Sequence, residues 1–363
     1  MRVAIAGGGT GGHLFPGLAL AERLREQASS NRVVFFGARR GIESRLVEPA
    51  GFELIAQDLE AVSGRRPAAA VRAMAKLVRS SVVLRGELRR RHVEVVVGLG
   101  GYASAAGVVG AALARVPVVL LEQNHRPGLA NRSLARLATA VCTSFEDSSR
   151  YFPTGRCRFT GNPLRADLDK TGAAEEATNL LVFGGSAGAH SLNRAVTGAI
   201  ETLAGVMELP PIVHQTGADD LAEVKDAYRR RGVRADVRPF IDDMASAYRH
   251  ARLAVCRAGA TSVAELAATE TPAVLIPFPA AAGGHQRDNA EWLVAAGAAT
   301  LVSDDERAAT RLAEVLKSLL LDRERLDSMA ERARAVAHRG ATSRVLDVLE
   351  EVCGAGSRRS SRA

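Results

Sequence analysis

Short runs of apolar, often β-branched residues alternate along the whole chain with longer stretches in which apolar positions recur at helical spacing. The apolar runs predict strands at 2–6, 32–36, 94–97, 117–121 and 139–143, and then at 179–183, 211–214, 235–238, 252–256, 273–277 and 299–302. Many runs are apolar at consecutive positions, which is typical of parallel strands buried on both faces. The alternation predicts an α/β fold of doubly wound parallel sheets, with sites beyond the carboxyl ends of the strands.

The length of 363 residues is enough for about two domains. Gly161-Asn162-Pro163 interrupts the pattern and a polar stretch follows to residue 178, so we predict domains at 1–163 and 164–339. A last helical pattern, at about 340–353, is expected to fold back on the first domain. The polar, basic residues 354–363 predict a disordered tail.

Composition argues against a membrane-spanning protein and against sites built from stacked aromatic rings. Val95–Ala114 is as long as a transmembrane helix and carries no charge, but its five glycines predict a buried strand, a turn and a core-facing helix instead. Aromatic residues make up only 4%, which argues against a stacked-ring platform for sugars or nucleic-acid bases. The four cysteines lack metal-ligand spacing, which favours a reducing, cytoplasmic compartment.

The net charge of +8 is concentrated between Arg65 and His92, where nine lysines and arginines accompany one acid. Four apolar residues recur there at helical spacing, namely Val71, Met74, Val78 and Val82. Three basic residues take other faces, namely Arg72, Lys76 and Arg79. A basic amphipathic helix suits an anionic membrane surface, and it equally suits a helix packed on the core with a solvated basic face. Nucleic acid is a weaker alternative, because aromatic residues are not interleaved.

Two glycine-rich turns follow predicted strands in the two halves of the chain. Residues 7–13 read Gly-Gly-Gly-Thr-Gly-Gly-His, and residues 184–190 read Gly-Gly-Ser-Ala-Gly-Ala-His. Such turns let backbone N–H groups approach a phosphate without an obstructing Cβ. We therefore expect two similar α/β domains to address one phosphorylated ligand.

His13 ends the first turn, and Pro16 suits the first turn of the helix expected after it. The positive end of a helix dipole disfavours the imidazolium form, and a neutral imidazole beside a phosphate turn can accept a proton from a hydroxyl. A histidine that only hydrogen-bonds the turn is the competing interpretation. A dinucleotide site is not favoured, since the next strand ends at Gly37 without an acid to hold a ribose.

More polar residues follow the strands at 94–97 and 117–121, at the sheet edge where His13 is expected. They are Tyr102, Ser104, Glu122, Gln123, Asn124 and His125. Loop packing explains each one alone, but together they predict a polar pocket.

Two patterns in the second half have competing explanations. Ser262 and Glu265 have the spacing of a helix capping box, while a glutamate at the mouth of a sheet can also accept hydrogen bonds from ribose hydroxyls. Asp167-Leu168-Asp169 matches a metal-binding DxD, but no apolar strand leads into it, so a chance match is favoured.

Taken together, these residues resemble the MurG family, the UDP-N-acetylglucosamine transferases of bacterial peptidoglycan synthesis, over roughly residues 2–350. Eight elements in family order carry the resemblance, namely Gly8–His13, Gly100–Tyr102, Glu122–Asn124, Gly161–Arg165, Gly184–Ser186, Phe240–Met244, Arg257–Glu265, and His285-Gln286 with Asn289. The chain departs from the family at Ala187, at His190 and at His125-Arg126. These departures bear on sugar-edge contacts and acceptor fit but leave the donor motif intact.

The resemblance implies a GT-B fold, in which an acceptor and membrane-facing Rossmann-like domain and a UDP-N-acetylglucosamine-binding one face a cleft. It implies inverting transfer to the muramyl 4-hydroxyl of undecaprenyl-linked lipid I, forming lipid II at the cytoplasmic face of the cell membrane. The expected partners are this donor and acceptor, an anionic membrane surface, and cell-wall and division complexes, without nucleic acid. No metal or cofactor is expected, because backbone N–H groups, a helix N-terminus and Arg165 can hold the charge of the leaving diphosphate.

Residue roles follow from the same resemblance. His13 is the leading candidate for the base, Ile241 would meet the uracil through its backbone, and Glu265 would hold the ribose. Ser186 would hold the diphosphate with Arg165 nearby, and Gln286, Asn124 and Thr10 would surround the sugar. The remaining implied donor-binding residues are Gly11, Gly12, Ala260, Thr261, Ser262, Val263 and Ala264, and the acceptor candidates are Tyr102, Glu122 and His125. A UDP-N-acetylglucosamine 2-epimerase and a non-catalytic nucleotide-sugar-binding scaffold of a cell-wall complex are the alternative functions.

Overall fold

The computed structural model describes residues 1–39, 42–59, 67–169, 177–186 and 188–360. Their contacts divide the chain into two compact units, unit 1 (Met1–Arg165 with Gly340–Ala363) and unit 2 (Ala166–Arg339). The division falls at residues 165 and 339, where the sequence predicted boundaries at 163 and 339.

The elements of the described residues are as follows. The strands are β1 (Arg2–Ala6), β2 (Arg32–Ala38), β3 (Glu53–Gln57), β4 (Val95–Gly98), β5 (Val118–Glu122), β6 (Ala140–Thr143), β7 (Cys157–Phe159), β8 (Asn179–Phe183), β9 (Ile212–Gln215), β10 (Ala235–Arg238), β11 (Ala251–Cys256), β12 (Ala273–Leu275) and β13 (Ala299–Leu301). The α-helices are α1 (Gly11–Gln27), α2 (Glu43–Leu46), α3 (Pro67–Arg90), α4 (Gly101–Ala114), α5 (Leu129–Leu134), α6 (Ala166–Asp169), α7 (His190–Leu203), α8 (Leu221–Arg230), α9 (Met244–Arg249), α10 (Ala260–Ala268), α11 (His285–Ala295), α12 (Ala308–Leu320), α13 (Arg323–Ala335) and α14 (Ala341–Ser360), with 3-10 turns at Glu146–Tyr151 and Ala282–Gly284.

Each unit is built on one parallel sheet. Within the described residues, the order is β3-β2-β1-β4-β5-β6-β7 in unit 1 and β10-β9-β8-β11-β12-β13 in unit 2. The predicted α/β class is confirmed, and the predicted strands agree with the observed ones to within two residues. Strands β3 and β7 were not predicted, because both lie at a sheet edge and bury too little apolar surface to leave a clear pattern.

Helix α14 belongs to the core of unit 1. Its Val345 and Leu349 are fully buried in the same cluster as Leu14, Leu20 and Phe35. The backbone stays helical to Ser360, where the sequence predicted a disordered tail from residue 354. Residues 361–363 of that tail lie outside the described residues.

The uncharged run 95–114 forms β4, a turn and α4, as predicted. No helix among the described residues combines the length and the apolar character that crossing a membrane requires.

Helix α3 carries two apolar stripes. Leu84 and Leu88, with Ala73, face the core of unit 1. The stripe that the sequence singled out does not, because Val71, Met74, Val78 and Val82 are each 54–69% exposed. Core packing is therefore the wrong explanation for that stripe. Arg65 and Arg66, in the same basic segment, lie outside the described residues.

Candidate active site

The first glycine turn follows β1 directly. Gly7, Gly8 and Gly9 have φ values of +130°, +143° and +81°, which only glycine adopts without strain. Helix α1 begins at Gly11, so His13 lies in its first turn, as predicted. Pro16 lies beyond the first turn, so that part of the prediction is wrong, because the helix begins five residues before the proline.

The half-buried His13 is oriented by its neighbour Thr10, whose hydroxyl Oγ1 lies 2.8 Å from Nδ1 of the imidazole. When Nδ1 carries the proton and donates it to Thr10, Nε2 is the atom that can accept a proton. Gly100, with φ +92°, lies beside this imidazole, and a Cβ at this position would lie 3.2 Å from Cδ2 and 3.5 Å from Nε2. This geometry suits a general base.

Glu43 holds the first glycine turn, a role that no pattern in the sequence predicts. Its side chain is fully buried, and Oε1 accepts hydrogen bonds from the N–H groups of Gly9 (3.0 Å) and Ala38 (3.3 Å). A Cβ on Gly8 would collide with this carboxylate. The N–H of Gly9 is thus engaged within the protein.

Glu122, an acceptor candidate, is 2% exposed and organises the loop after β5. Its carboxylate accepts hydrogen bonds from the backbone N–H (2.9 Å) and Nδ2 (3.2 Å) of Asn124, from Asn131 Nδ2 (3.0 Å) and from the N–H of Gly128 (3.3 Å). Burial raises the pKa of Glu122 to about 7, although these four hydrogen bonds favour the ionised form. The arrangement suits the positioning of Asn124 better than direct acceptor contact.

The other polar residues at this edge divide into buried and accessible ones. Ser104 and Gln123 are buried, and Gln123 donates to the carbonyl of Leu99. Tyr102 is 38% exposed, and His125 is partly exposed with its ring edge-on to Phe145 at 5.3 Å. The two acceptor candidates Tyr102 and His125 therefore keep accessible surface.

Arg165 is the last residue of the first segment of unit 1, and its guanidinium carbon lies 5.9 Å from the ring centroid of Phe15. Of the DxD pair that follows, Asp167 accepts the N–H of Leu168 at the start of the short helix α6.

One metal-ligand-like group occurs among the described residues, where His190, Asp220 and Glu223 bring their ligand atoms within 4.8 Å of one another. His190 Nδ1 lies 2.9 Å from Asp220, whose other oxygen accepts Asn193 Nδ2 at 2.7 Å. These bonds at the starts of α7 and α8 account for the proximity of His190 and Asp220.

The second glycine turn joins β8 to α7. Gly185 and Gly188 have φ values of +100° and +79°, and a Cβ on Gly188 would collide with the carbonyl of Thr216. Ser186 is half-buried in this turn, and Ala187 lies outside the described residues. The turn leads into the N-terminus of a 14-residue helix, which favours an anion.

Gln215, at the end of β9, bridges this turn and the segment of Ile241. Its Nε2 donates to the carbonyl of Gly185 at 2.8 Å, and its Oε1 accepts the N–H of Ile241 at 2.9 Å. Gln215 carries no signal in the sequence, because no spacing rule selects a glutamine at a strand end.

Glu265 accepts a hydrogen bond from the hydroxyl of Tyr248 at 3.0 Å. The tyrosine is fully buried, and its ring stands edge-on to Phe183 at 5.7 Å. The predicted capping box is wrong, because α10 begins at Ala260, two residues before Ser262, without a side-chain capping bond. The carboxylate is thus held by α9.

Two further polar contacts fix the ends of β11 and β12. Arg257 forms a buried ion pair with Asp304 (2.8 Å, side chains 7% and 6% exposed) and donates to Ser191 Oγ at 2.6 Å. Gln286 Oε1 accepts the N–H of Phe278 at 2.9 Å, which ties the polar loop to α11. Asp304 and Ser191 were not found from sequence.

Comparison with known proteins gives the family. Residues 3–143 match the glycosyltransferase family 28 N-terminal domain, and residues 179–347 match its C-terminal domain. The chain is 44% identical over 356 residues to the UDP-N-acetylglucosamine–N-acetylmuramyl-(pentapeptide) pyrophosphoryl-undecaprenol N-acetylglucosamine transferase of Syntrophotalea carbinolica, covering 98% of this chain and 99% of the relative.

Solved structures agree with this family. MurG of Acinetobacter baumannii superposes with a TM-score of 0.76 at 31% identity, covering 96% of this chain and 99% of that one. A UDP-GlcNAc 2-epimerase from Neisseria meningitidis has a TM-score of 0.67 at 13% identity, covering 97% and 100%, and shares the fold alone. The predicted GT-B fold is confirmed. The chain belongs to the MurG family of glycosyltransferases, with the N- and C-terminal domains of glycosyltransferase family 28.

Proposed function

We propose that this chain moves N-acetylglucosamine from UDP-N-acetylglucosamine to the 4-hydroxyl of the muramyl sugar of lipid I, forming lipid II. The observation that carries the proposal is the 44% identity, over nearly the whole of both chains, to a relative whose name states this donor and acceptor. Incubation with UDP-N-acetylglucosamine alone separates the alternatives. An epimerase would release the manno epimer without an acceptor, and a scaffold would bind UDP without turnover.

The donor is bound by unit 2 at the ends of its central strands. Ser186 and the start of α7 suit the diphosphate, since both offer hydrogen-bond donors at a positive helix end. The carboxylate of Glu265 accepts hydrogen bonds from the ribose hydroxyls. Ile241 contacts the uracil through its carbonyl, because its N–H is donated to Gln215.

The residues of unit 1 perform the proton transfer. Nε2 of His13 takes the proton of the 4-hydroxyl while that oxygen forms its bond to C1 of N-acetylglucosamine. The bond between C1 and the β-phosphate oxygen breaks, and its electron pair leaves with UDP. Since the donor is α-linked, attack from the opposite face gives a β-linked product without a covalent enzyme intermediate. Arg165 and the backbone N–H groups at helix starts stabilise the charge on the leaving oxygen.

The membrane contact lies on α3, at the cytoplasmic face where the lipid-linked acceptor is held. The exposed stripe of Val71, Met74, Val78 and Val82 would enter the interface, with Arg72 and Arg79 facing anionic headgroups. Lys76 lies on the same helix, with its ammonium 3.0 Å from Asp58.

Two variants test this contact with vesicles containing phosphatidylglycerol. Replacing Arg72 and Arg79 by Gln should weaken binding about tenfold or more and lower its salt dependence, since each basic residue contributes about 1 kcal/mol near the surface. Replacing Val71 and Met74 by Ser should weaken the binding that persists in high salt.

A matched control replaces the exposed Arg229 and Arg230 of α8 by Gln and should bind as the parent does. All variants should keep their activity on a water-soluble acceptor analogue. If both α3 variants sediment with the vesicles to the same extent as the parent, the membrane contact does not lie on α3.

A further inference from the structure

Gln215 lies between the two elements to which the proposed function assigns different parts of the donor. Its side chain is buried, 3% exposed, and its amide has one partner at each end. Nε2 donates to the carbonyl of Gly185 in the diphosphate turn, and Oε1 accepts the N–H of Ile241 in the uracil segment. If the side-chain amide were flipped, its NH2 would face the N–H of Ile241 and its oxygen would face the carbonyl of Gly185. Only one orientation of the amide therefore satisfies both partners.

The backbone around Gln215 joins the same elements. The N–H of Thr216 donates to Arg238 (3.0 Å) and that of Gly217 to Pro239 (3.1 Å), which ties the end of β9 to the chain that leads to Ile241. On the other side, Gly188 lies so close to the Thr216 carbonyl that a Cβ would collide with it. The diphosphate turn, the end of β9 and the uracil segment are therefore in continuous contact.

We propose that Gln215 is a positioning residue that couples uracil recognition to the placement of the diphosphate turn. The inference rests on the proposed function, because it needs the donor to lie across Ile241 and the turn. Gln215 sets the separation of the two elements through bonds to their backbones. A donor whose uracil is bound then finds the turn already in place, so less ordering accompanies binding of the diphosphate.

Two substitutions break this link in different ways. Gln215→Leu removes both hydrogen bonds at similar volume. Gln215→Glu keeps an acceptor for the N–H of Ile241 but sets a carboxylate oxygen against the carbonyl of Gly185. Once protonated, the same glutamic acid is close to isosteric with glutamine, and its O–H can donate to Gly185. Burial beside a carbonyl should raise the pKa of the introduced carboxyl, so protonation should fall within a usable pH range.

Isothermal titration of the full chain with UDP and with uridine, from pH 5.5 to 8, tests the proposal. We expect Gln215→Leu to weaken UDP binding about tenfold or more and uridine binding much less, because lost pre-organisation falls on the diphosphate. Gln215→Glu should bind UDP weakly at pH 8 and recover towards the parent at pH 5.5. The ratio of variant to parent affinity at each pH removes the titration of UDP itself.

Parent-like UDP binding by both variants at every pH would overturn the proposal, and so would equal losses for UDP and uridine. Thermal denaturation at each pH identifies a variant that does not fold. If Gln215→Leu does not fold, the test rests on whether Gln215→Glu regains UDP affinity as the pH falls from 8 to 5.5. Absence of UDP binding by the parent would contradict the proposed function itself and this inference with it.

Discussion

Replacing Glu122 by Gln should change how the stability of unit 1 depends on pH. The carboxyl is buried and accepts four hydrogen bonds, two of them from Asn124. An amide oxygen can keep the two bonds from Asn124, but the amide NH2 then faces the donors on Gly128 and Asn131. Leaving buried donors unpaired costs about 1–3 kcal/mol each. At pH 5, however, the folded parent is protonated and its own hydroxyl faces the same two donors, so variant and parent should be similar in stability there.

The pH dependence follows from the raised pKa of Glu122. In the unfolded chain this carboxyl releases its proton near pH 4.5, whereas in the folded chain it holds the proton to about pH 7. The folded state binds more protons between these values, so the free energy of unfolding falls as the pH rises through this window and levels off above it. A pKa change of this size corresponds to about 3 kcal/mol. Glutamine has no such dependence, so the free energy of unfolding of the parent relative to that of the variant should fall by about 3 kcal/mol between pH 5 and pH 8.

Urea-dependent hydrogen exchange of peptides from β5 and β6 measures the unfolding of unit 1 at the two pH values. Fluorescence of Trp292, the single tryptophan, reports on unit 2 and should not distinguish variant from parent. Replacing the exposed Glu48 by Gln is the matched control for charge removal in unit 1. An equal stability gap between parent and Glu122→Gln at pH 5 and pH 8 would refute the reasoning.

Three further substitutions address the two units. His13→Ala should lower kcat about 100-fold or more and leave UDP affinity unchanged, because the lost group is the base; wild-type turnover would assign the base elsewhere. Asp304→Ala leaves Arg257 buried without its carboxylate and should cost unit 2 about 3–5 kcal/mol, followed by Trp292 fluorescence in urea; a loss below about 1 kcal/mol would contradict a buried ion pair. Glu265→Ala should raise the donor KM and also lower the stability of unit 2 by about 1–3 kcal/mol, because the hydroxyl of the buried Tyr248 loses its acceptor; a stability loss at unchanged KM would make the role of Glu265 structural alone.

Residues that follow the ends of strands could be located from the sequence. Apolar runs mark where β1 and β8 stop, and the residues that follow, among them His13 and Ser186, are carried by the glycine turns. Glu43 and Gln215 were not predicted because three of their four partners lie 34, 30 and 26 residues away and their residue types are ordinary. Such contacts depend on how loops from different strands meet, which local patterns do not encode.

Periodicity also leaves the choice between faces open. In α3 the stripe through Val71 and Val78 has helical spacing, yet the core is contacted by the stripe that contains Leu84. The spacing of Ser262 and Glu265 similarly fits a capping box, but the turn at Gly259 starts the helix earlier. Tertiary packing decided both cases.

Product analysis with UDP-N-acetylglucosamine and lipid I tests the central claim most directly. We expect one UDP released for each lipid II formed, a β-linkage to the muramyl 4-hydroxyl, and no reaction of the donor when lipid I is left out. Formation of the manno epimer without acceptor, or UDP binding without UDP release in the presence of lipid I, would contradict it.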